Sequence, residues 1–318
     1  MRFWSGIRGL VVGLVVLSAT PLFGQMTPEQ EQQFKYYFYS AREHFINQQY
    51  TQALPELLMC ETLNPKDGQT KEYIGLIYLI SRQGDKATEY LKAAYEADPA
   101  KLWQGYFQML PKENGKERIA VLKKAAEGNP KEEEVWTLYV EELVNNGYLK
   151  EGLKAQDKLD QIKGSDIYSV ATRHYIYMRQ GKFKKALKVV NDYLELEPRD
   201  TRVRKLYIQT LIYSHAKWSV LEKAYIEYLQ MDPYDMTMLN DYAYTMAING
   251  GDLKKAEAMS AKTIREQPNN ATFLDTYAWI LHLQGQDNLA LFYIRKALDN
   301  VGEADRKVIE EHYKTIVK

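Results

Sequence analysis

The side chains that could do chemistry in this sequence are spread along it without a catalytic or metal-binding spacing. The five histidines are His44, His174, His215, His282 and His312, and none belongs to a His-Glu-x-x-His motif. The sequence has no glycine-rich phosphate loop and no nucleophile elbow around a serine. It therefore predicts no metal, no small-molecule cofactor and no catalytic residue.

The single cysteine, Cys60, rules out an intrachain disulfide and a zinc cluster built from thiolates. It occupies a small-residue position of the repeating pattern described below. We therefore expect a buried small side chain, and a reactive thiol is the alternative.

The charge balance argues against nucleic acid as a partner. Lysine plus arginine and aspartate plus glutamate both number 42, so the formal net charge is zero. A nucleic-acid-binding chain would carry a continuous basic surface instead. The content of 45% apolar and 26% charged residues is that of a globular protein.

The N-terminus has the layout of an export signal. Arg2 and Arg8 precede the apolar stretch 9–17, and Gly24 offers a small residue for cleavage. We predict a signal peptide over residues 1–24, followed by a short lead over 25–33. The apolar stretch is shorter than the span of about 20 residues that crosses a bilayer, and an uncleaved anchor is the alternative. Because an exported chain without disulfides suits the bacterial periplasm, we predict that location, with secretion as a further alternative.

The elements that must position any site recur with a period of 34 residues. Three pairs show that spacing: Ala53 and Ala87, Leu57 and Leu91, and Pro65 and Pro99. Small residues let two helices approach, large apolar residues three or four positions apart fill the space between them, and proline follows the second helix. The period therefore predicts stacked helix pairs.

These residues resemble the tetratricopeptide repeat pattern, and the resemblance covers nearly all of residues 34–304. It implies an all-α fold, a right-handed α-solenoid of about eight helix hairpins followed by a capping helix. The predicted repeats are 34–67, 68–101, 102–132, 133–166, 167–200, 201–235, 236–270 and 271–303, with the cap over 304–318. The third repeat is degenerate, because Pro99 and Pro130 are only 31 residues apart.

The resemblance also implies that the first helix of each pair lines a concave groove. The partner-binding candidates that follow are Phe38, Arg42, Glu72, Leu76, Tyr175, Asn240, Tyr244, Asp275, Trp279 and His282, and further inward-facing positions are Thr137, Glu141 and Ala171. An aromatic residue there either packs in the core or binds a ligand. Asn240 and Asp275 either hydrogen-bond a peptide backbone or cap neighbouring turns.

Some members of the family hold a chaperone tail with lysine and asparagine on successive first helices. This chain has Phe38 with Arg42 and Glu72 with Leu76 at those positions, which disfavours chaperone-tail binding. The remaining interpretation is a non-enzymatic scaffold that binds a protein or an extended peptide segment in the bacterial cell envelope. The alternatives are a structural subunit of a larger envelope secretion or outer-membrane assembly complex and, third, an enzyme with an unfamiliar site in the groove.

Overall fold

The computed structural model describes residues 26–318, apart from the side chains of residues 304 and 305. Within that range all regular secondary structure is α-helical, with 17 helices and no strand. Contacts divide the chain into two compact units, which we call unit 1 (Met1–Gly164) and unit 2 (Ser165–Lys318). The all-α repeat fold expected from the 34-residue period is confirmed.

The described part of unit 1 contains four helix pairs, each a first helix followed by a short turn and a second helix. The pairs are α1 (Pro28–Ile46) with α2 (Tyr50–Leu63), α3 (Gly68–Ile80) with α4 (Gly84–Ala97), α5 (Trp103–Met109) with α6 (Gly115–Gly128), and α7 (Glu133–Asn145) with α8 (Leu149–Lys163).

Unit 2 contains four further pairs and a last single helix. These are α9 (Ile167–Arg179) with α10 (Phe183–Leu196), α11 (Thr201–Tyr213) with α12 (Trp218–Met231), α13 (Met236–Ile248) with α14 (Leu253–Glu266), and α15 (Ala271–Leu283) with α16 (Asp287–Asn300), followed by α17 (Glu303–Ile316).

The first helix begins earlier than the sequence pattern indicated. Residues 25–33 were expected to form a lead outside the repeats, yet α1 starts at Pro28. The Thr27 hydroxyl accepts from the backbone N–H of Gln30, and the Gln30 side chain accepts from the backbone N–H of Thr27. This reciprocal cap, with proline in the first turn, favours a helix start at this point. The predicted signal peptide, residues 1–24, lies outside the described residues.

The first helices of unit 2 start at acidic or amide caps. Asp166, Asp200, Asp235 and Asn270 precede α9, α11, α13 and α15, and each side chain accepts a hydrogen bond from a backbone N–H of the first turn. Such a cap contributes about 1 kcal/mol to helix stability. The four caps therefore fix where each new pair of unit 2 begins.

Close approach between helices depends on glycine where Leu91 of α4 packs. Leu91 is buried, and a Cβ added at Gly75 of α3 or at Gly105 of α5 would lie 2.7 Å from a Leu91 side-chain atom. Ala87 and Ala94, on either side of Leu91, are fully buried as well. The predicted role of small residues in helix packing is confirmed at this junction.

The degenerate third repeat has a first helix of only seven residues, α5, which ends shortly before Pro111. Arg118 of α6 compensates for its lost helical hydrogen bonds. The guanidinium donates to the Leu110 carbonyl at 3.0 Å and lies over the Phe107 ring. It also donates twice to the Glu142 carboxylate, at 3.0 Å each, so the charge of this half-buried side chain is paired.

Candidate functional site

In unit 1 the predicted groove residues Phe38, Arg42, Glu72 and Leu76 are either buried or half-buried. Phe38 and Leu76 are buried in the hydrophobic core, so these two positions pack and do not face a partner. Arg42 and Glu72 are half-buried. Burial raises the pKa of the Glu72 carboxyl from 4.5 to about 7. Arg42 lies near Tyr73, where its charge partly offsets the burial that raises the pKa of that phenol.

The three other inward-facing positions are dispersed. Thr137 is half-buried and its hydroxyl donates to the carbonyl of Glu133 one turn earlier, whereas Glu141 is exposed. Ala171 of unit 2 is half-buried.

Four candidates from the end of unit 2 meet around one histidine of the last helix. The His312 ring stacks on Trp279 with ring centres 4.3 Å apart and lies 6.0 Å from the Tyr244 ring. Trp279 also contacts His282, whose Nδ1 is 2.6 Å from Asp287. His312 Nδ1 is 2.8 Å from one oxygen of Asp275. The structure thus brings together Tyr244, Asp275, Trp279 and His282, with α17 packed over them.

Asn240 and Asp275 make contacts between helices and do not face an open groove. The Asn240 amide donates to the Thr276 hydroxyl at 3.1 Å, and only 2% of Asn240 is exposed. Both Asp275 oxygens accept from His312, and Asp275 is buried. The two alternatives for these side chains were hydrogen bonds to a peptide backbone and caps of neighbouring turns. In the structure both side chains instead bond to side chains of neighbouring helices.

The sequence interpretation missed His312, although its helical spacing carried a signal. Ile309 and Ile316 are buried, and His312 lies three residues after the first and four before the second, on the same helix face. Val308, the residue before Ile309, is 58% exposed. Residues 308 and 309 are about 100° apart around a helix, so only one of them can face the repeat at this register.

A second feature of unit 2 is a cleft of about 300 Å³ between α11 and α13. The first helices α9 and α11 pack on one another, as do α13 and α15, but α11 and α13 do not make a comparable contact. The cleft is lined by Lys205, Leu206, Ile208, Gln209, Ile212, Tyr225, Met238 and Asp241. The sequence interpretation named none of these residues.

Large side chains on α12 account for the separation of α11 and α13. The fourth residue of the other second helices in unit 2 is Ala186, Ala256 or Ala290, each fully buried, whereas α12 has Leu221 there. One turn later, Tyr225 is also fully buried and forms part of the cleft wall. Large side chains at these positions of α12 prevent α11 and α13 from packing closely on one another. Leucine at position 221, where the other repeats of unit 2 have alanine, is the sequence feature that could have predicted this cleft.

The cleft contains one carboxylate, Asp241, that lies outside the ion pairs of the described residues. Lys205 Nζ is 2.6 Å from Asp235 Oδ2, and this hydrogen bond raises the pKa of Lys205. Asp241 is half-buried, and burial raises its pKa, although hydrogen bonding by Asn240 and the nearby charge of Lys205 work in the opposite direction. Within residues 26–318, no lysine, arginine or histidine nitrogen forms an ion pair with Asp241.

A family model of the tetratricopeptide repeat matches residues 131–303, more than half of the chain. The chain belongs to the tetratricopeptide repeat family. Among solved structures, the C-terminal part of a tetratricopeptide repeat protein from Cytophaga hutchinsonii is similar, with a TM-score of 0.55, 15% identity, 76% of this chain covered and 98% of that one. Yeast Tom70 has a TM-score of 0.51 and 12% identity, with 98% of this chain covered and 69% of that one.

At these identities the similarity to solved structures shows the fold alone. A comparison of the sequence with curated proteins gives no match. Tetratricopeptide repeat proteins form a class of protein-interaction scaffolds, and this chain has the fold of that class. In residues 26–318, no helix combines the length and apolarity that crossing a membrane requires, and no group of three or more histidine, cysteine, aspartate or glutamate side chains is placed to hold a metal ion.

The tetratricopeptide repeats of unit 2 also carry an exposed apolar row. The last residues of the first helices α11, α13 and α15 are Tyr213, Ile248 and Leu283, spaced 35 residues apart. They are 57%, 53% and 40% exposed. We call these three residues the first-helix row. Ile212, one position before Tyr213, is exposed too and forms part of the cleft. Tyr175 of α9, the remaining predicted candidate, is likewise exposed.

Proposed function

We propose that this chain is a non-enzymatic scaffold of the bacterial cell envelope that binds an extended segment of another envelope protein on the first-helix side of unit 2. The observation that carries the proposal is the first-helix row beside the cleft between α11 and α13. Apolar side chains at the same place in successive repeats offer an extended segment several equivalent contacts. Gln209 and Asp241 at the cleft add polar groups that orient a backbone.

The envelope location in the proposal rests on the N-terminal sequence. Arg2 and Arg8 before a short apolar stretch have the layout of a secretory signal. A chain with one cysteine, buried in the core, gains nothing from an oxidising compartment and tolerates one. Association with a larger envelope complex follows if the bound segment belongs to a subunit of it.

A second candidate function is that of a structural subunit in a secretion or outer-membrane assembly complex. Exposed apolar residues on second helices favour it: Ile226 of α12 and Leu289 and Phe292 of α16. We call these three the second-helix set. They give a partner subunit an apolar contact on side chains other than those of the first-helix row.

Paired triple variants separate the two functions. The first replaces the first-helix row by serine (Tyr213→Ser, Ile248→Ser, Leu283→Ser), and the second replaces the second-helix set (Ile226→Ser, Leu289→Ser, Phe292→Ser). Both sets contain one aromatic and two aliphatic residues that are at least 39% exposed, so effects on folding are matched. The variants are expressed as the full chain with an affinity tag, and proteins captured from envelope extracts are quantified.

The scaffold function predicts that serine in the first-helix row removes the captured partner, while serine in the second-helix set leaves it. The structural-subunit function predicts the opposite: serine in the second-helix set removes the captured partner, while serine in the first-helix row leaves it. The wild type and the first-helix row variant should then form a large native particle that the second-helix set variant does not form. A chain that captures no envelope protein above an untagged control contradicts both.

A further inference from the structure

The cleft between α11 and α13 has an apolar wall and a polar edge. Ile208, Tyr225 and Met238 are buried and form the apolar part. Gln209 is exposed and Asp241 half-buried at the polar edge. A volume of about 300 Å³ is at the lower end of the range of small-molecule sites. The cleft therefore suits one or two side chains of a polypeptide better than a cofactor.

At the cleft, the Asp241 carboxylate forms no ion pair among the described residues, although the nearby charge of Lys205 lowers its pKa. Asp235 accepts from Lys205 at 2.6 Å and from the Tyr228 hydroxyl at 2.7 Å, so the lysine is held by Asp235. Asp241 is on the same helix as Asp235, but it has no cation within ion-pair distance among the described residues. A partly desolvated carboxylate next to an apolar wall is stabilised when a ligand supplies a cation.

We propose that this cleft selects the partner segment by its chemistry: it binds a large apolar side chain in the cleft together with a nearby lysine or arginine that pairs with Asp241. The inference rests on the proposed function, since it requires that unit 2 binds an extended segment. Ile212 extends the apolar wall outwards, and the Gln209 amide donates to or accepts from the backbone of that segment. An acidic segment is disfavoured, because Lys205 already pairs with Asp235 and the Asp241 carboxylate repels acidic side chains.

A selection from random peptides tests the proposed chemistry. A library of random twelve-residue peptides displayed on phage is selected on the immobilised full chain and on four variants. Asp241→Asn removes the carboxylate charge with little change in shape, and Asp241→Lys reverses it. Gln209→Lys leaves Asp241 intact and adds a competing cation at an exposed position, so it does not endanger folding. Glu195→Gln, an exposed carboxylate on α10, is the matched control.

The expected outcome is enrichment of peptides that combine a large apolar residue with lysine or arginine within about three positions, the reach of neighbouring side chains in an extended chain. Peptides selected on Asp241→Asn or Gln209→Lys should show no preference for lysine or arginine. Peptides selected on Asp241→Lys should be enriched in aspartate or glutamate. Peptides selected on Glu195→Gln should match those selected on the wild type. A selected peptide should bind Asp241→Asn about tenfold more weakly, as expected for loss of a charged hydrogen bond.

Two other outcomes overturn the inference in distinguishable ways. Enriched peptides whose binding depends on the first-helix row but shows no basic preference would overturn the role of Asp241 while the proposed function stands. If no chain enriches any peptide, although circular dichroism shows the expected helix content, the proposed function fails and the inference fails with it.

Discussion

His312 of the last helix donates from Nδ1 to the carboxylate of Asp275 in the preceding repeat, 2.8 Å and 2.9 Å from its two oxygens. The same imidazole ring stacks on Trp279, one turn further along α15. A single side chain therefore pairs a buried carboxylate and covers an aromatic ring. Together with buried Ile309 and Ile316, it fixes the register at which α17 closes unit 2.

We predict that His312→Ala loosens α17. The variant leaves the buried Asp275 carboxylate without its partner, which costs about 1–3 kcal/mol. Hydrogen–deuterium exchange should show protection in α17 reduced by about tenfold or more, while protection in unit 1 is unchanged. Glu311→Ala, an exposed neighbour on the same helix, is the control and should leave the exchange of α17 unaltered. Equal protection of α17 in the wild type and His312→Ala would show that the Asp275 contact contributes little.

We predict that Gly75→Ala destabilises unit 1. The new Cβ would lie 2.7 Å from Leu91 Cγ and 3.1 Å from the Leu91 backbone nitrogen, so the helices must move apart. Overpacking of this kind costs about 1–3 kcal/mol. Gly84→Ala is the control, because its Cβ would meet nothing within 4 Å and alanine is the better helix former. Urea unfolding should rank Gly84→Ala at or above wild type and Gly75→Ala below it; the opposite order would refute the packing.

The half-buried Glu72 should make stability depend on pH. Burial raises its folded-state pKa from 4.5 to about 7, so the unfolded chain releases this proton first as pH rises. Stability is therefore lost between pH 4.5 and 7, and the loss is complete above 7. The difference between these pKa values corresponds to about 3 kcal/mol, which partial solvent contact reduces to roughly 1–2 kcal/mol.

Glu72→Gln removes this effect, because glutamine does not ionise. The variant should be more stable than the wild type at pH 8, and the difference should shrink towards pH 4.5 when both are unfolded in urea. Glu141→Gln, at an exposed position of α7, should give no such pH-dependent difference. A Glu72→Gln variant that is less stable than the wild type at pH 8 would mean that the carboxylate has a stabilising partner.

Cys60 should be inert in the folded chain. Its side chain is fully buried and its Sγ lies 3.8 Å from the Phe34 carbonyl. Burial raises the pKa of the thiol to about 12, so at pH 8 the thiolate fraction is on the order of one in ten thousand. Labelling by a thiol reagent should be absent in native buffer and complete in urea. Stoichiometric labelling within minutes in native buffer would contradict the buried position.

The packing of the helix pairs could be predicted from sequence because it depends on local spacing. Ala87, Leu91 and Pro99 recur one period after Ala53, Leu57 and Pro65. The alanines and leucines of both sets are buried, so the first two repeats pack their second helices through the same positions. Membership of the tetratricopeptide repeat family and the all-α fold follow from that period.

The candidate site could be predicted only in part, because it depends on residues that do not follow the 34-residue repeat pattern. The place of Asp275 is decided by His312 on α17, whose register the repeat does not specify. The cleft exists because Leu221 occupies an alanine position, and the size of the resulting gap depends on how α11 and α13 settle around α12. Asp241 becomes a candidate binding residue only when the structure shows that it lines this cleft.

The most direct measurement of the central claim is site-specific photo-crosslinking in living cells that express the full chain. A photoreactive amino acid is placed at Gln209, on the edge of the cleft, or at Phe292 of the second-helix set, both of them exposed. Binding of an envelope protein on the first-helix side of unit 2 predicts a discrete crosslinked partner from position 209 and none from position 292. A partner crosslinked from 292 alone, or from neither position, would contradict it.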